Sequence, residues 1–242
     1  MFSHRYFCAM NVQDDADQLS SIDFRVIDEN LEEPVIDFMW AYYFPDEPLH
    51  RSLQTRRNWL TNELFVRSVT REKCSIAALD KTGRVLGVRI AKVLNYNHWI
   101  PWLFTKLYHK IMRYIGALCF SRWNYEALLL LFKKLDYNVY NVCRKYNCTM
   151  VYEAKALCSA RFHGIRGLGA ELVRRGEELA RSRGCTLCYT LVTGNYSSKV
   201  FTKLGYNVEH RISYDKFRDK NGNLYLTDCR EHKECLTFSK NI

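Results

Sequence analysis

Apolar positions along the chain switch repeatedly between helical and alternating spacing, and the switches mark out its elements. The opening stretch, through about Ser21, is polar and aperiodic and reads as a loose arm over 1–21. A short strand is expected at 24–27. Pro34, behind Glu32 and Glu33, suits the first turn of a helix whose apolar face is Val35, Phe38, Met39 and Tyr42, and which must stop before Pro45. A longer helical pattern follows, with Leu53, Leu60 and Leu64 falling on one side. Strands are expected at 74–79 and 84–94, joined by the hairpin turn Asp80-Lys81-Thr82-Gly83. The helical period returns over about 99–140, then gives way to a strand at 148–160. A helix at 168–183, a strand at 185–193 and a short helix at 197–204 ending at Gly205 come next. Strands at about 207–214 and 227–237, separated by Asp219-Lys220-Asn221-Gly222, complete the chain. With no internal repeat, low-complexity tract or linker, the order reads as one α/β (α+β) domain over 22–242, a sheet covered by helices.

Composition narrows the class. Of 242 residues 48% are apolar and 14% aromatic, enough for a substantial core. The formal charge of +10 favours an anionic partner without choosing among nucleic acid, an acidic membrane and a phosphate-bearing cofactor. Ten cysteines are scattered without a disulfide framework, and Met1 to Gln13 holds no apolar run long enough for a signal peptide. Reduced thiols and a cytoplasmic location are therefore expected. Cys185 and Cys188 form a CxxC inside a strand-like run, where residues three apart point to opposite faces and cannot chelate one metal. The seven histidines lack ligand-like spacing, so no metal site is expected.

The segment from Arg161 to Leu172 (RFHGIRGLGAEL) lies between a strand and a helix. Gly164, Gly167 and Gly169 allow sharp bends and close approach to a ligand. The unpaired amides that open the helix, together with its dipole, favour an anion. Arg161, Arg166, Arg174 and Arg175 add charge. Taken alone, such a loop can be no more than a tight turn. It lacks the GK[ST] ending of a Walker A loop, and its GxxGxG spacing is not the dinucleotide GxGxxG.

Arg166-Gly167-Leu168-Gly169 before an amphipathic helix resembles the acetyl-CoA pyrophosphate loop of the GNAT superfamily. About thirty residues on, the run Tyr196 to Tyr206 (YSSKVFTKLGY) resembles that superfamily's short helix ending in Lys-Leu-Gly-aromatic. Upstream, Asp46-Glu47-Pro48-Leu49 is similar to the Glu-Pro-Leu element of insect-type arylalkylamine N-acetyltransferases. The resemblance spans about 24–214. It implies a GNAT fold, a mixed and mostly antiparallel twisted sheet flanked by helices, with acetyl-CoA as co-substrate, a small primary amine as acceptor and no metal. It places the pyrophosphate on Arg161, Gly164, Ile165, Arg166, Gly167, Leu168, Gly169 and Ala170, and the pantetheine arm along Leu157, Cys158 and Ser159. The chain departs from the pattern at Gly164, where the loop often begins with Gln or Arg. It departs again at Phe201, which stands where many members carry a proton-donating tyrosine.

Acetyl transfer to an amine requires that the ammonium be deprotonated, the thioester carbonyl polarised and the thiolate protonated. The resemblance makes Glu47 the general base; read from its neighbours alone, Glu47 is a turn residue stiffened by Pro45 and Pro48. It aligns Thr193 and Ser197 with two serines proposed to handle protons. The structural alternative for Ser197 is the N-cap of the short helix. Cys158 has no evident base partner, so direct transfer in a ternary complex is expected rather than a covalent intermediate.

The segment 99–120 is amphipathic, with Leu103, Leu107, Ile111 and Ile115 at i,i+4 and Lys106, Lys110 and Arg113 on another side. Its charges argue against a spanning helix. The plainer reading is a lid over the acceptor site and the sharper one a peripheral membrane contact. Trp99, Trp102, Trp123 and Tyr125 suit either role. Another acceptor (a polyamine or amino acid), a longer acyl-CoA, a non-catalytic CoA sensor and a basic binding module are the alternatives. The scattered basic residues and the lack of a nucleic-acid motif disfavour a nucleic-acid partner, and the pattern leaves the oligomeric state open.

Overall fold

A computed structural model describes residues 18–54, 57, 63–95, 122–135, 139–160 and 165–242. In chain order the elements are β1 (Asp23–Val26), α1 (Glu32–Phe38) running into a π-helical turn (Met39–Tyr43), α2 (Pro48–Ser52), α3 (Leu64–Thr70), β2 (Ile76–Leu79) and β3 (Val85–Asn95). Then come α4 (Arg122–Lys134), α5 (Val139–Tyr146), β4 (Met150–Ser159), α6 (Leu168–Ser182), β5 (Leu187–Val192), α7 (Asn195–Lys203), β6 (Asn207–Ser213) and β7 (Glu234–Asn241). The strands form one seven-stranded sheet in the order β1-β2-β3-β4-β5-β7-β6. Every neighbouring pair is antiparallel except β4 and β5. This is the mixed, mostly antiparallel sheet that the resemblance implies.

The alternation of the central strands builds two cores, one on each face. Ala77, Leu79, Val88 and Ile90 pack against α1 and α3 through Val35, Ile36, Val66 and Val69. Ile76, Ala78 and Leu86 turn the other way, against Leu168 and Leu172 of α6. The second core continues through Tyr152, Val173, Ala180, Cys188, Phe201 and Phe238, which seats α7 beside α6. Arg67 ties α3 to α1 through Glu32 at 2.7 Å and Glu33 at 2.5 Å. On α6 the pairs Arg175–Glu171 (2.9 Å) and Arg181–Glu177 (3.7 Å) bear out the i,i+4 spacing, each worth about 0.3–0.5 kcal/mol.

Four expectations change. The helical pattern after Pro48 is not one helix: α2 ends at Ser52, and Gln54 takes a left-handed φ of +50°. Leu53 is buried while Leu64 of α3 is 43% exposed, so the two do not share a face; Leu60 lies outside the described residues. The last strand runs over Glu234–Asn241 rather than 227–237. Leu226 and Cys229 are buried from an irregular segment in one core with Leu131 and Phe217, so apolar residues there do not mark a strand. Strand β5 starts only at Leu187, so Cys185 precedes it and packs in the same core as Cys188, instead of facing away from it. Finally, α7 starts at Asn195 with Gly194 as its N-cap, which leaves Ser197 inside the first turn. The amphipathic segment 99–120, read as lid or membrane contact, lies outside the described residues, as do the arm before residue 18 and the side chains of Trp123 and Tyr125.

Candidate active site

The parallel pair β4–β5 holds register only from Val151↔Leu187 to Ala154↔Thr190. Beyond Thr190 the strands part. From there β4 continues to Ser159, paired only with β3 on its other side, and β5 gives way to Thr193 and α7. The edge of β4 facing the gap therefore offers main-chain groups that the sheet does not use. A cleft of about 680 Å³ opens there, and Leu157, Cys158 and Ser159 line it together with Thr193, Ser197 and Gly169.

Helix α6 starts at the mouth of this gap. Gly167 is its N-cap at φ +82°, a left-handed conformation that glycine adopts without strain. Ile165, Arg166 and Ala170 flank the start, with Arg166 exposed. The side chain of Leu168 turns into the core, so only its backbone is available to a ligand. A Cβ on Gly169 would meet Val200 at 3.9 Å, an ordinary contact. Glycine there is thus not demanded by the fold, and what its absent side chain leaves open is the wall of the cleft. Arg161 and Gly164 lie outside the described residues.

On the opposite wall stands Glu47. The amides of Asp46 and Glu47 both donate to the Tyr43 carbonyl, at 3.1 and 2.9 Å, turning the chain sharply after the π-helical turn. Pro48 then starts α2 in the position that needs no amide. Glu47 is the N-cap, its Oε2 accepting the His50 amide at 2.7 Å, and it is 7% exposed. Glu47 lines the cleft. The His50 ring packs edge-on against Phe44 at 4.7 Å. Burial holds the His50 imidazole below its usual pKa, against an opposing pull from Glu47.

Glu47, Thr193 and Ser197, nominated separately from the sequence, line the same cleft. Ser197 Oγ donates to the Gly194 carbonyl at 3.0 Å, which fixes the hydroxyl without making it the cap. The capping acceptor is His232, whose Nδ1 receives the Asn195 amide at 3.1 Å. An imidazole that accepts at Nδ1 carries its proton on Nε2. Phe201 is 1% exposed and packed against Tyr206 and Phe238, so it has neither a proton to give nor access to the cleft.

Three cleft residues escaped the sequence reading: Tyr43, Arg230 and His232. Burial, then the nearby Glu47 carboxylate and Cys158, push the Tyr43 phenol well above its ordinary pKa and keep it protonated. Arg230 pairs with Asp46 at 2.8 Å. A positive φ of +48° at Arg230 and the contact of Asn195 Nδ2 with the Glu231 carbonyl at 2.7 Å set this loop over the site. His232 serves a helix start rather than a metal. Among the described residues no cluster of His, Cys, Asp and Glu could hold a metal, and no helix is long and apolar enough to cross a membrane.

The chain matches no protein-family model. Among solved structures it is similar to arylalkylamine N-acetyltransferase 2 from Aedes aegypti, at 24% identity and a TM-score of 0.76, over 91% of this chain and 99% of that one. It is also similar to the polyamine N-acetyltransferase of Drosophila melanogaster that forms N-acetylagmatine, at 22% identity and TM-score 0.73, over 91% and 100%. A mosquito arylalkylamine N-acetyltransferase-like 5b gives 21% and 0.72, over 92% and 100%. The sheet with its single parallel pair, and this likeness along nearly the whole chain, show that the protein has the GNAT acetyltransferase fold.

Proposed function

We propose that a chain with this fold and this cleft is an acetyl-CoA-dependent N-acetyltransferase, acting on a primary amine of the arylalkylamine class by direct transfer in a ternary complex. The observation that carries the reading is the cleft bounded on one side by the unused edge of β4 and the start of α6 and on the other by buried Glu47. The similar proteins, named for arylalkylamines and for polyamine, support an amine acceptor.

In this reading Ile165, Arg166, Gly167, Leu168, Gly169 and Ala170, with Arg161 and Gly164, hold the diphosphate through main-chain amides and the helix dipole. The edge at Leu157, Cys158 and Ser159 pairs with the pantetheine amides. Bound acetyl-CoA supplies an activated thioester. Glu47, aided by water, takes a proton from the incoming ammonium so that its nitrogen lone pair can form the new C–N bond. A main-chain N–H of the 157–159 edge polarises the acetyl carbonyl. Ser197 gives its proton to the departing sulfur after releasing the Gly194 carbonyl, with the Thr193 hydroxyl beside it, and the proton taken by Glu47 restores it through solvent. Tyr42, Tyr43 and Tyr196, which line the cleft, suit an aromatic tail. None of the eight described cysteines is in a disulfide and all are buried, which suits a reducing compartment, and we take the protein to be cytoplasmic.

The test is thiol release from acetyl-CoA across tyramine, dopamine, serotonin, spermidine, agmatine and several amino acids. Release that depends on an arylalkylamine is the expected outcome. Release only with a polyamine or an amino acid replaces the acceptor class, and release with none, despite CoA binding, removes the enzyme reading.

A further inference from the structure

Two ion pairs stitch the loop before β7 to the segment that carries Glu47. Arg230 reaches Asp46 at 2.8 Å, and Arg51 reaches Asp228 while also donating to the Pro45 carbonyl at 3.0 Å. The Asp228 amide donates to Ser52 Oγ at 3.3 Å, so the loop is held at both ends of α2. Asp46 and Arg230 both line the cleft beside Glu47. The Arg230 side chain is 46% exposed and that of Asp46 is 27%, which puts the guanidinium at the rim rather than in the core.

The charge distribution follows from this. The described cleft wall has two carboxylates. Glu47 is assigned to the reacting amine, and the charge of Asp46 is matched by Arg230. Outside the description, acidic side chains occur only in 1–17 and at Glu126 and Asp136, while 96–121 has none and carries Lys106, Lys110 and Arg113. An amine with a second positive charge at its far end would meet the Arg230 guanidinium and a neutralised Asp46. An amine with a neutral aromatic end meets tyrosine rings.

We infer that Arg230 is a specificity-determining residue: by holding Asp46 in an ion pair it rejects dicationic acceptors and leaves the site to monocationic amines. This rests on the transferase reading above and narrows its substrate class. It works by placing a repulsive charge against the wrong ligand, in addition to any attraction for the right one. One of the similar folds is named for a polyamine substrate and forms N-acetylagmatine, so the fold itself does not force the choice.

The experiment compares kcat/KM for phenethylamine, a monocation, with that for agmatine and putrescine, both dications, in the wild type, Arg230→Gln and Asp46→Asn. The wild type is expected to favour phenethylamine by roughly a hundredfold. Arg230→Gln uncovers the Asp46 carboxylate and narrows that ratio about tenfold, whereas Asp46→Asn frees the guanidinium and widens it, the sizes being those of charge pairing at an interface. The ratio is the readout because a merely structural role would lower both substrates in parallel. Equal use of agmatine and phenethylamine by the wild type overturns the inference, as does a parallel loss in Arg230→Gln. If Arg230→Gln does not fold, Asp46→Asn decides by the direction of its ratio. Thiol release with none of the amines overturns the transferase reading, and this inference with it; release with the wrong preference overturns this inference alone.

Discussion

The Arg89 side chain occupies the space that a Cβ on Gly176 would need: such an atom would lie 2.6 Å from Arg89 Nε and 2.7 Å from its Cδ. Arg89 comes from the middle of β3 and is 1% exposed. Its Nη1 donates to the Val173 carbonyl at 3.1 Å, and its guanidinium sits over the Tyr152 ring at 5.1 Å and the Phe201 ring at 5.9 Å. The helix whose start is the proposed diphosphate site is thus seated on a buried arginine, with a glycine at the point of contact.

Gly176→Ala is therefore expected to destabilise. In an open helix the change would gain about 1 kcal/mol. Here the overpacking cost of about 1–3 kcal/mol outweighs that gain, because Arg89 is enclosed by Tyr152, Phe201 and the helix itself. Denaturant melts of the two proteins check the sign. A stabilised variant would mean that Arg89 can move aside.

Glu47→Gln separates the two tasks of this residue. Its amide oxygen can still accept the His50 amide, so the cap on α2 survives, but it cannot take a proton. Turnover should fall roughly a hundredfold or more, with CoA affinity and melting temperature close to wild type. Glu47→Ala loses the cap as well and should cost a further 1 kcal/mol or so of stability. Unchanged turnover in Glu47→Gln would remove it as the base.

Ser197→Ala tests proton delivery apart from helix capping. The Asn195 amide is satisfied by His232 Nδ1, so the helix start does not depend on the Ser197 hydroxyl. A fall in turnover of about tenfold to a hundredfold with little change in stability is expected. His232→Ala should show the converse structural signature, a loss of about 1 kcal/mol for the orphaned amide, measured by thermal melting. If Ser197→Ala melts early and His232→Ala does not, the two roles are reversed.

The imidazole of His50 gives a pH signature. Burial lowers its folded pKa below the ordinary 6.5, so above that value neither state gains from protonation. As pH falls below it the unfolded chain binds the proton first, and stability declines until the folded imidazole also protonates. Melting temperatures taken between about pH 7 and about pH 5.5 should drop more steeply for the wild type than for His50→Gln. Identical slopes would show that burial of His50 carries no linkage.

The sequence by itself determined the order of most elements and the glycine-bearing strand-to-helix turn, while Glu47, Thr193 and Ser197 rest on the family resemblance. The elements and the turn have local signals: hydrophobic period and the placement of proline and glycine. The expected last strand, 227–237, began too early because Leu226 and Cys229 are apolar and buried, in one core with Leu131 of α4, from a segment that is not a strand. Only the tertiary structure decided that β4 and β5 part after Thr190, and that the loop holding Arg230 and His232 folds back over Asp46 and Glu47, more than 180 residues earlier in the chain. That juxtaposition depends on β7 lying between β5 and β6. Strand neighbours are chosen by packing across the whole sheet, and no period within one strand encodes its partner.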